Sequence, residues 1–211
     1  MRGAFISLEG IEGVGKSTNV AFTADTVRAA GYDVVTTREP GGTRLGESVR
    51  DWILNGDHGQ LSAEIEALLM FAARARHLDE VIRPALAAGR WVVCDRFTDA
   101  TFAYQGGGRG ASRNLLEALR REVQKGLEPD LTLLLDAPLD VGASRIAERT
   151  PDHFEREQRP FFDRVRASYL SLAAEHSERI KLIDAALPLE QVQQQIAAQV
   201  QALVGRLRTS S

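Results

Sequence analysis

Near the N-terminus, Gly10, Gly15, Lys16 and Ser17 stand in the spacing G-x-x-x-x-G-K-S. Glycines so placed let backbone N–H groups curl around anionic oxygens, the lysine brings a mobile positive charge, and the hydroxyl brings a hard oxygen ligand for a divalent cation. The chemistry that uses all three is the binding of a nucleoside triphosphate by its phosphates. The motif needs a strand before it and a helix after it. The apolar run Ala4-Phe5-Ile6-Ser7-Leu8 and the helix-like segment from Lys16 supply that setting.

Four further clusters carry chemistry. Asp95-Arg96-Phe97 ends an apolar run, where side chains of an open parallel sheet reach the ligand crevice; Asp95 suits Mg2+ and Arg96 a phosphate. Arg38-Glu39-Pro40-Gly41-Gly42-Thr43 ends another run and forces a tight turn beside the same crevice. Phe71 and Arg74 share a helical face at i, i+3, and Thr101, Tyr104 and Gln105 follow at i, i+3, i+4, a set fitted to a planar base with hydrogen-bonding edges. Arg145, Arg149, Arg156 and Arg159 surround the polar segment Thr150 to Glu155, which reads as a lid bringing positive charge onto a transferring phosphate. Each has a plainer reading: a strand-end salt bridge, a connector, a core phenylalanine and a solvated helix face, respectively.

The elements that must position these groups follow from the pattern of apolar runs. Strands are predicted at 4–8, 33–37, 91–94, 131–136 and 180–183. Helices are predicted at 16–30, 45–54, 62–88, 113–125, 139–148, 157–176 and 189–208. Strands alternating with helices predict an α/β fold, a five-stranded parallel sheet with helices on both faces. Ser62 with Glu64 and Glu66 marks a helix start, and Gly31, Gly89 and Gly126 mark helix ends.

Composition narrows the function classes. The 211 residues are 44% hydrophobic, enough for one domain spanning 1–211 with a full core. A net charge of -3 and arginines interleaved with acids argue against a nucleic-acid partner. Lysine occurs only at Lys16, Lys125 and Lys181, so the positive charge is nearly all arginine, suited to forked recognition of phosphate. Cys94, alone in an apolar run, reads as a small buried hydrophobe. No stretch has membrane-spanning length and no signal-type region is visible, so a cytoplasmic protein without a membrane partner is expected.

The ordered set of Gly10 to Ser17 with Glu12 inside the loop, Thr37-Arg38-Glu39-Pro40-Gly41-Gly42-Thr43, Phe71-Ala72-Ala73-Arg74, Asp95-Arg96-Phe97 and Thr101 to Gln105 resembles the bacterial thymidylate kinases, P-loop nucleoside monophosphate kinases with a short lid. The resemblance spans essentially the whole chain. It implies transfer of the ATP γ-phosphate to dTMP with Mg2+, in a homodimer. It places Gly10, Glu12, Gly13, Val14, Gly15, Lys16, Ser17 and Thr18 around ATP, and Ser17 and Asp95 at the metal. Glu12, Arg38, Pro40, Arg50, Phe71, Arg74, Arg96, Thr101, Tyr104 and Gln105 surround dTMP, with Arg50 and Arg96 on its phosphate, Phe71 stacked on thymine and Tyr104 against the sugar 2′ position.

Lys16, Arg96, Glu12 and Arg149 are the implied catalytic set. The family supplies its transition-state arginine from the loop or from the lid. Gly13 occupies the loop position, so the lid is implied and Arg149 is the first candidate, ahead of Arg145 and Arg156. Relatives of that type carry Asp-Arg before an aliphatic residue in the lid, whereas this chain reads Asp152-His153-Phe154-Glu155. The lid is placed at about 145–159. The resemblance together with the Pro-Gly-Gly turn also implies a cis Glu39–Pro40 bond.

Two other classes share the phosphate loop. A GTP-dependent switch requires N-K-x-D and D-x-x-G, and neither string occurs. A DNA-associated ATPase requires a basic face, against the acidic balance, and a bare nucleotide-binding module has no use for an acceptor site.

Overall fold

The computed structural model describes residues 3–55, 61–146, 154 and 157–209. Five strands, β1 (Phe5–Glu9), β2 (Val34–Arg38), β3 (Trp91–Asp95), β4 (Leu131–Asp136) and β5 (Ile180–Asp184), form one parallel sheet in the order β2-β3-β1-β4-β5. The connecting helices are α1 (Lys16–Ala29), α2 (Arg44–Asn55), α3 (Ala63–His77), α4 (Arg83–Ala87), α5 (Thr98–Thr101), α6 (Arg113–Gln124), α7 (Leu139–Ile146), α8 (Arg159–Glu175) and α9 (Leu189–Thr209).

The central strands β1, β3 and β4 are buried nearly throughout, as a sheet covered on both faces requires. The side chains of β1 and β3 alternate between two apolar layers. Phe5, Val92 and Cys94 pack with Leu78, Ile82 and Leu86, while Ile6, Leu8 and Val93 join the larger cluster with Val27, Val165 and Ile196. Burial also pushes the Cys94 thiol up, in keeping with a packing role. Because all strands run the same way, their C-terminal residues Glu9, Arg38, Asp95, Asp136 and Asp184 line one edge. β1 feeds the phosphate loop directly from the middle of that edge.

Two segments differ from the pattern-based expectation. The run expected as one helix over 62–88 begins after Ser62, whose hydroxyl accepts the Ile65 N–H, and passes through a π-helical stretch at Leu78–Ile82 between α3 and α4. Residues 98–108, absent from the expected elements, form α5 followed by a π-helix at Phe102–Gly108. Gly106, Gly107 and Gly108 are poor helix formers, and tertiary packing overrides them. A Cβ on Gly107 would lie 2.6 Å from Ser168 Cβ, and one on Gly108 would lie 2.5 Å from the Phe161 ring, so only glycine lets α8 approach this closely. The wide π turn carries Tyr104 and Gln105 to the cavity beside Thr101. The Glu39–Pro40 bond is cis, as expected. Among the described residues, no helix is long and apolar enough to cross a membrane.

Candidate active site

A cavity of about 440 Å³ opens along the C-terminal edge of the sheet. Gly13, Gly15, Lys16, Ser17 and Thr18 line one end, and Arg38, Pro40, Arg50, Arg74, Thr101 and Gln105 line the rest, with Glu12, Asp95, Arg96 and Tyr104 also in its wall. Sequence-remote groups are thus gathered around one space large enough for a small ligand.

Gly10, Gly13 and Gly15 all have positive φ, of 136°, 74° and 88°, so the loop adopts the backbone its glycines were expected to allow. Gly10 does not line the cavity; its carbonyl accepts from Lys16 Nζ (3.0 Å) and from Arg96 Nη1 (2.8 Å). Val14 is 2% exposed with its side chain in the core, so it has only its peptide group to offer a ligand. The Lys16 ammonium also donates to the Ile11 carbonyl at 2.6 Å. Burial, and then the Arg96 charge, lower the Lys16 pKa to about 8. An anion in the cavity would favour the charged form.

Arg96 stands at the junction of the loop and the rest of the cavity. Its backbone is left-handed, with φ of 67°, an uncommon conformation for a residue with a side chain. The neighbouring peptide is held from below: Phe97 N–H donates to Glu9 Oε1 at 2.7 Å, and Glu9 Oε2 accepts from Tyr169 at 2.8 Å. Tyr169 in turn accepts from Arg96 Nη1 at 3.2 Å. Burial and then the Asp99 carboxylate push Glu9 up to about 8. Arg96 Nη2 donates to Glu12 Oε1 at 2.8 Å, and its guanidinium lies 4.8 Å from the centre of the Tyr104 ring. Tyr104 donates to the same Glu12 carboxylate, at 2.8 and 2.7 Å to its two oxygens. Burial holds that phenol well above its ordinary range.

Arg50, whose Nη1 donates to the Pro40 carbonyl at 3.2 Å, sits close enough to Arg38 and Arg96 to feel both charges. Its pKa is lowered first by burial and then by those neighbours. Glu47 neutralises part of this charge through a 2.8 Å contact with Arg38. Arg38, Arg50 and Arg96 all line the cavity, and forked guanidinium groups of this kind suit a dianion.

Arg74 is 2% exposed and almost fully engaged. Its Nε donates to Glu39 at 2.7 Å, and Nη2 donates to the Phe97 carbonyl (3.2 Å) and to Thr101 Oγ1 (3.0 Å). The other Glu39 oxygen lies 2.9 Å from His77 Nδ1, and His77 Nε2 lies 2.7 Å from Thr37 Oγ1. Arg74 Nη1 is left buried without a partner. Gln105 Nε2 donates to Glu66 at 3.0 Å, and Gln105 Oε1 is likewise buried without a partner. Arg74 and Gln105 both line the cavity, and each leaves one polar atom, a donor and an acceptor, unmatched within the protein.

Phe71 requires a correction. It does not line the cavity: it is 1% exposed, packed in the core, with the Arg74 guanidinium 4.7 Å from its ring centre. Met70, four residues before Arg74, lines the cavity instead, with Ala73, Leu54, Pro40, Phe97 and Ala100. The i, i+4 relation to Arg74 was the available signal, and it pairs residues on a helix face as well as i, i+3 does.

At the loop end, Asp95 Oδ1 is buried without a hydrogen-bond partner, and Asp95 shares the cavity wall with Ser17. A carboxylate oxygen and a hydroxyl are the hard donors that Mg2+ prefers. Mg2+ characteristically takes one or two protein ligands and completes its shell with water and phosphate. Among the described residues no cluster of three or more acidic, histidine or cysteine side chains forms a fuller cage. The residues present therefore fit that cation.

Of the lid residues, Arg145 lines the cavity and donates to the Ala185 carbonyl at 3.2 Å, tying α7 to the turn after β5. Phe154 is buried against Tyr104, with ring centres 5.5 Å apart. Arg159 pairs with Asp140 at 2.5 Å on the surface. Arg149, His153 and Arg156 lie outside the described residues.

The family model for thymidylate kinase matches residues 8–196. The chain belongs to the thymidylate kinase family. The thymidylate kinase of Methylococcus capsulatus is 57% identical over 203 residues, covering 96% of this chain and 97% of its own. That of Pseudomonas fluorescens is 53% identical over 209 residues, 99% of this chain and 100% of its own. The crystal structure of thymidylate kinase from Ehrlichia chaffeensis superimposes with a TM-score of 0.77 at 31% identity, covering 95% of this chain and 99% of that one. The family thus accounts for the phosphate loop, the parallel sheet and a second site in one cavity. Sequence reading missed Glu9, Glu66, His77, Arg109 and Tyr169, which support the site from behind and carry no local motif.

Proposed function

We propose that this protein phosphorylates dTMP to dTDP with ATP, supplying the pathway to dTTP. The observation that carries this reading is the position of Arg96. It is bonded to the Gly10 carbonyl of the phosphate loop and to Glu12, and it is close enough to Arg50 to lower that residue's pKa. Donor and acceptor phosphates held on either side of Arg96 would meet end to end, which is the alignment in-line transfer requires.

In this reading Lys16 and the peptide groups of Gly13 to Thr18 hold the ATP phosphates, and Ser17 and Asp95 hold Mg2+. When bound, the cation neutralises charge on the phosphate oxygens. Arg38, Arg50 and Arg96 grip the dTMP phosphate. Glu12, fixed by Arg96 and Tyr104, faces the sugar, and Tyr104 crowds its 2′ position. The donor atom Arg74 Nη1 and the acceptor atom Gln105 Oε1 complement the carbonyl and N–H of a thymine or uracil imide. Met70 with Pro40 and Leu54 supplies apolar wall for the ring. Arg149 from the lid brings the further positive charge. The whole chain acts as one domain, as a cytoplasmic homodimer.

Leu45 and Trp52 on α2 and Ile65 and Leu68 on α3 are exposed large hydrophobics on two helices that pack together, which supports a homodimer that covers them. The deciding experiment measures ATP-dependent phosphorylation of a panel of dTMP, dUMP, UMP and AMP. Preference in the order dTMP, dUMP, UMP, with AMP inert, supports the reading, and better turnover of AMP overturns it.

A further inference from the structure

Gln105 is an amide, and an amide can present either its oxygen or its nitrogen to a ligand. The orientation here is set by Glu66, 1% exposed on α3, whose Oε2 accepts the Gln105 Nε2–H at 3.0 Å. A carboxylate accepts and cannot donate, so the reverse orientation would set oxygen against oxygen and lose a charge-assisted bond. Glu66 is itself braced: its Oε1 lies 3.3 Å from Arg109 Nε, and Arg109 reaches on to Glu157 at 2.6 Å. Arg74, with Nε on Glu39 and Nη2 on Phe97 and Thr101, has no comparable freedom. The wall therefore offers a fixed donor from Arg74 and a fixed acceptor from Gln105.

We infer that Glu66 is a positioning residue for base selection: by holding the Gln105 amide with its oxygen toward the cavity, it makes the site reject cytosine. Thymine and uracil present a carbonyl and an N–H to this pair. Cytosine presents an amino group where the carbonyl was and a bare ring nitrogen where the N–H was, so donor meets donor and acceptor meets acceptor. A site whose buried polar groups are left unpaired discriminates far more strongly than one that loses only apolar contact. This inference rests on the acceptor reading above and adds a residue outside the cavity wall to it.

The test is the Glu66→Gln variant, which keeps the shape but offers an N–H to Gln105 Oε1 and so permits the amide to turn. The ratio of kcat/KM for dTMP to that for dCMP should fall by about tenfold or more, chiefly through KM, with the KM for ATP unchanged. A purely structural role would lower the melting temperature and leave that ratio in place, which would overturn the inference. Gln105→Ala should lower the same ratio, and adding Glu66→Gln to it should lower the ratio no further. An additive loss in the double variant would overturn the inference. If Glu66→Gln fails to fold, Glu66→Met, which removes the acceptor that fixes the amide, reads the same ratio, and an unchanged value there overturns the inference. Equilibrium binding of dTMP and dCMP reports the preference independently of turnover, so a failure of phosphoryl transfer and a failure of the Glu66 role are separable.

Discussion

Gly13 and Gly142 meet backbone to backbone: a Cβ on Gly13 would lie 2.1 Å from the Gly142 carbonyl oxygen, and one on Gly142 would lie 2.7 Å from the Glu12 carbonyl oxygen. The first turns of α7 therefore rest on the phosphate loop, and position 13 has room for hydrogen alone. Its φ of 74° adds a second restriction. An arginine at this loop position would have to displace α7. We predict that Gly13→Arg lowers kcat, and that Gly13→Ala costs at least about 1–2 kcal/mol from the left-handed backbone. Denaturant melts and steady-state kinetics of the two variants check this, and an active, stable Gly13→Arg enzyme contradicts it.

Lys16 gives a pH dependence with a definite sign. Its pKa in the protein is lowered to about 8, so the free enzyme carries the charge below that pH and loses it above. Bound phosphate favours the charged form. ATP affinity should be level below pH 8 and fall by about tenfold per pH unit well above it. Lys16→Ala should abolish transfer while leaving the fold intact, and should remove this limb from the ATP-binding profile. A wild-type profile that stays flat to pH 9.5 would contradict the assignment.

The lid arginines separate by what each can reach. Arg145 is bonded to the Ala185 carbonyl and lines the cavity, so Arg145→Ala should raise the KM for ATP more than it lowers kcat. Arg149→Ala should lower kcat by about a hundredfold or more with little change in dTMP affinity, as loss of a transition-state contact does. His153→Ala should be mild. Initial rates over a range of ATP and dTMP concentrations give kcat and KM for all three; a large His153 effect on kcat beside a small Arg149 effect reverses the assignment.

Met70 and Phe71 are adjacent in the chain and opposite in role. Phe71 is a core residue, so Phe71→Ala should destabilise by about 3–5 kcal/mol. Met70, partly buried in the cavity wall, should cost little stability when changed to Ala but should raise the KM for dTMP several-fold. Chemical denaturation paired with kinetics distinguishes them, and equal stability losses would contradict this division.

Much of this protein was legible in the sequence because it is local. The phosphate loop, the strand before it and the helix after it lie within one short stretch, and glycine is the residue that permits the positive φ angles found at Gly10, Gly13 and Gly15. Short apolar runs set between helical patterns and glycine stop signals mark strands, so the five-stranded sheet and most helices were predictable to within a few residues. Tertiary structure decided what depends on chain segments far apart. Tyr169 and Glu9 are 160 positions apart in sequence, yet together they hold the Arg96 turn. Glu66 and Gln105, and Glu39 with Arg74 and His77, become partners only when α3 docks beside the ends of β2 and β3. Helical spacing marks which residues share a face without stating which neighbour that face meets. Phe71 therefore went to the core and Met70 to the cavity because packing, which is a property of all elements at once, assigns the faces.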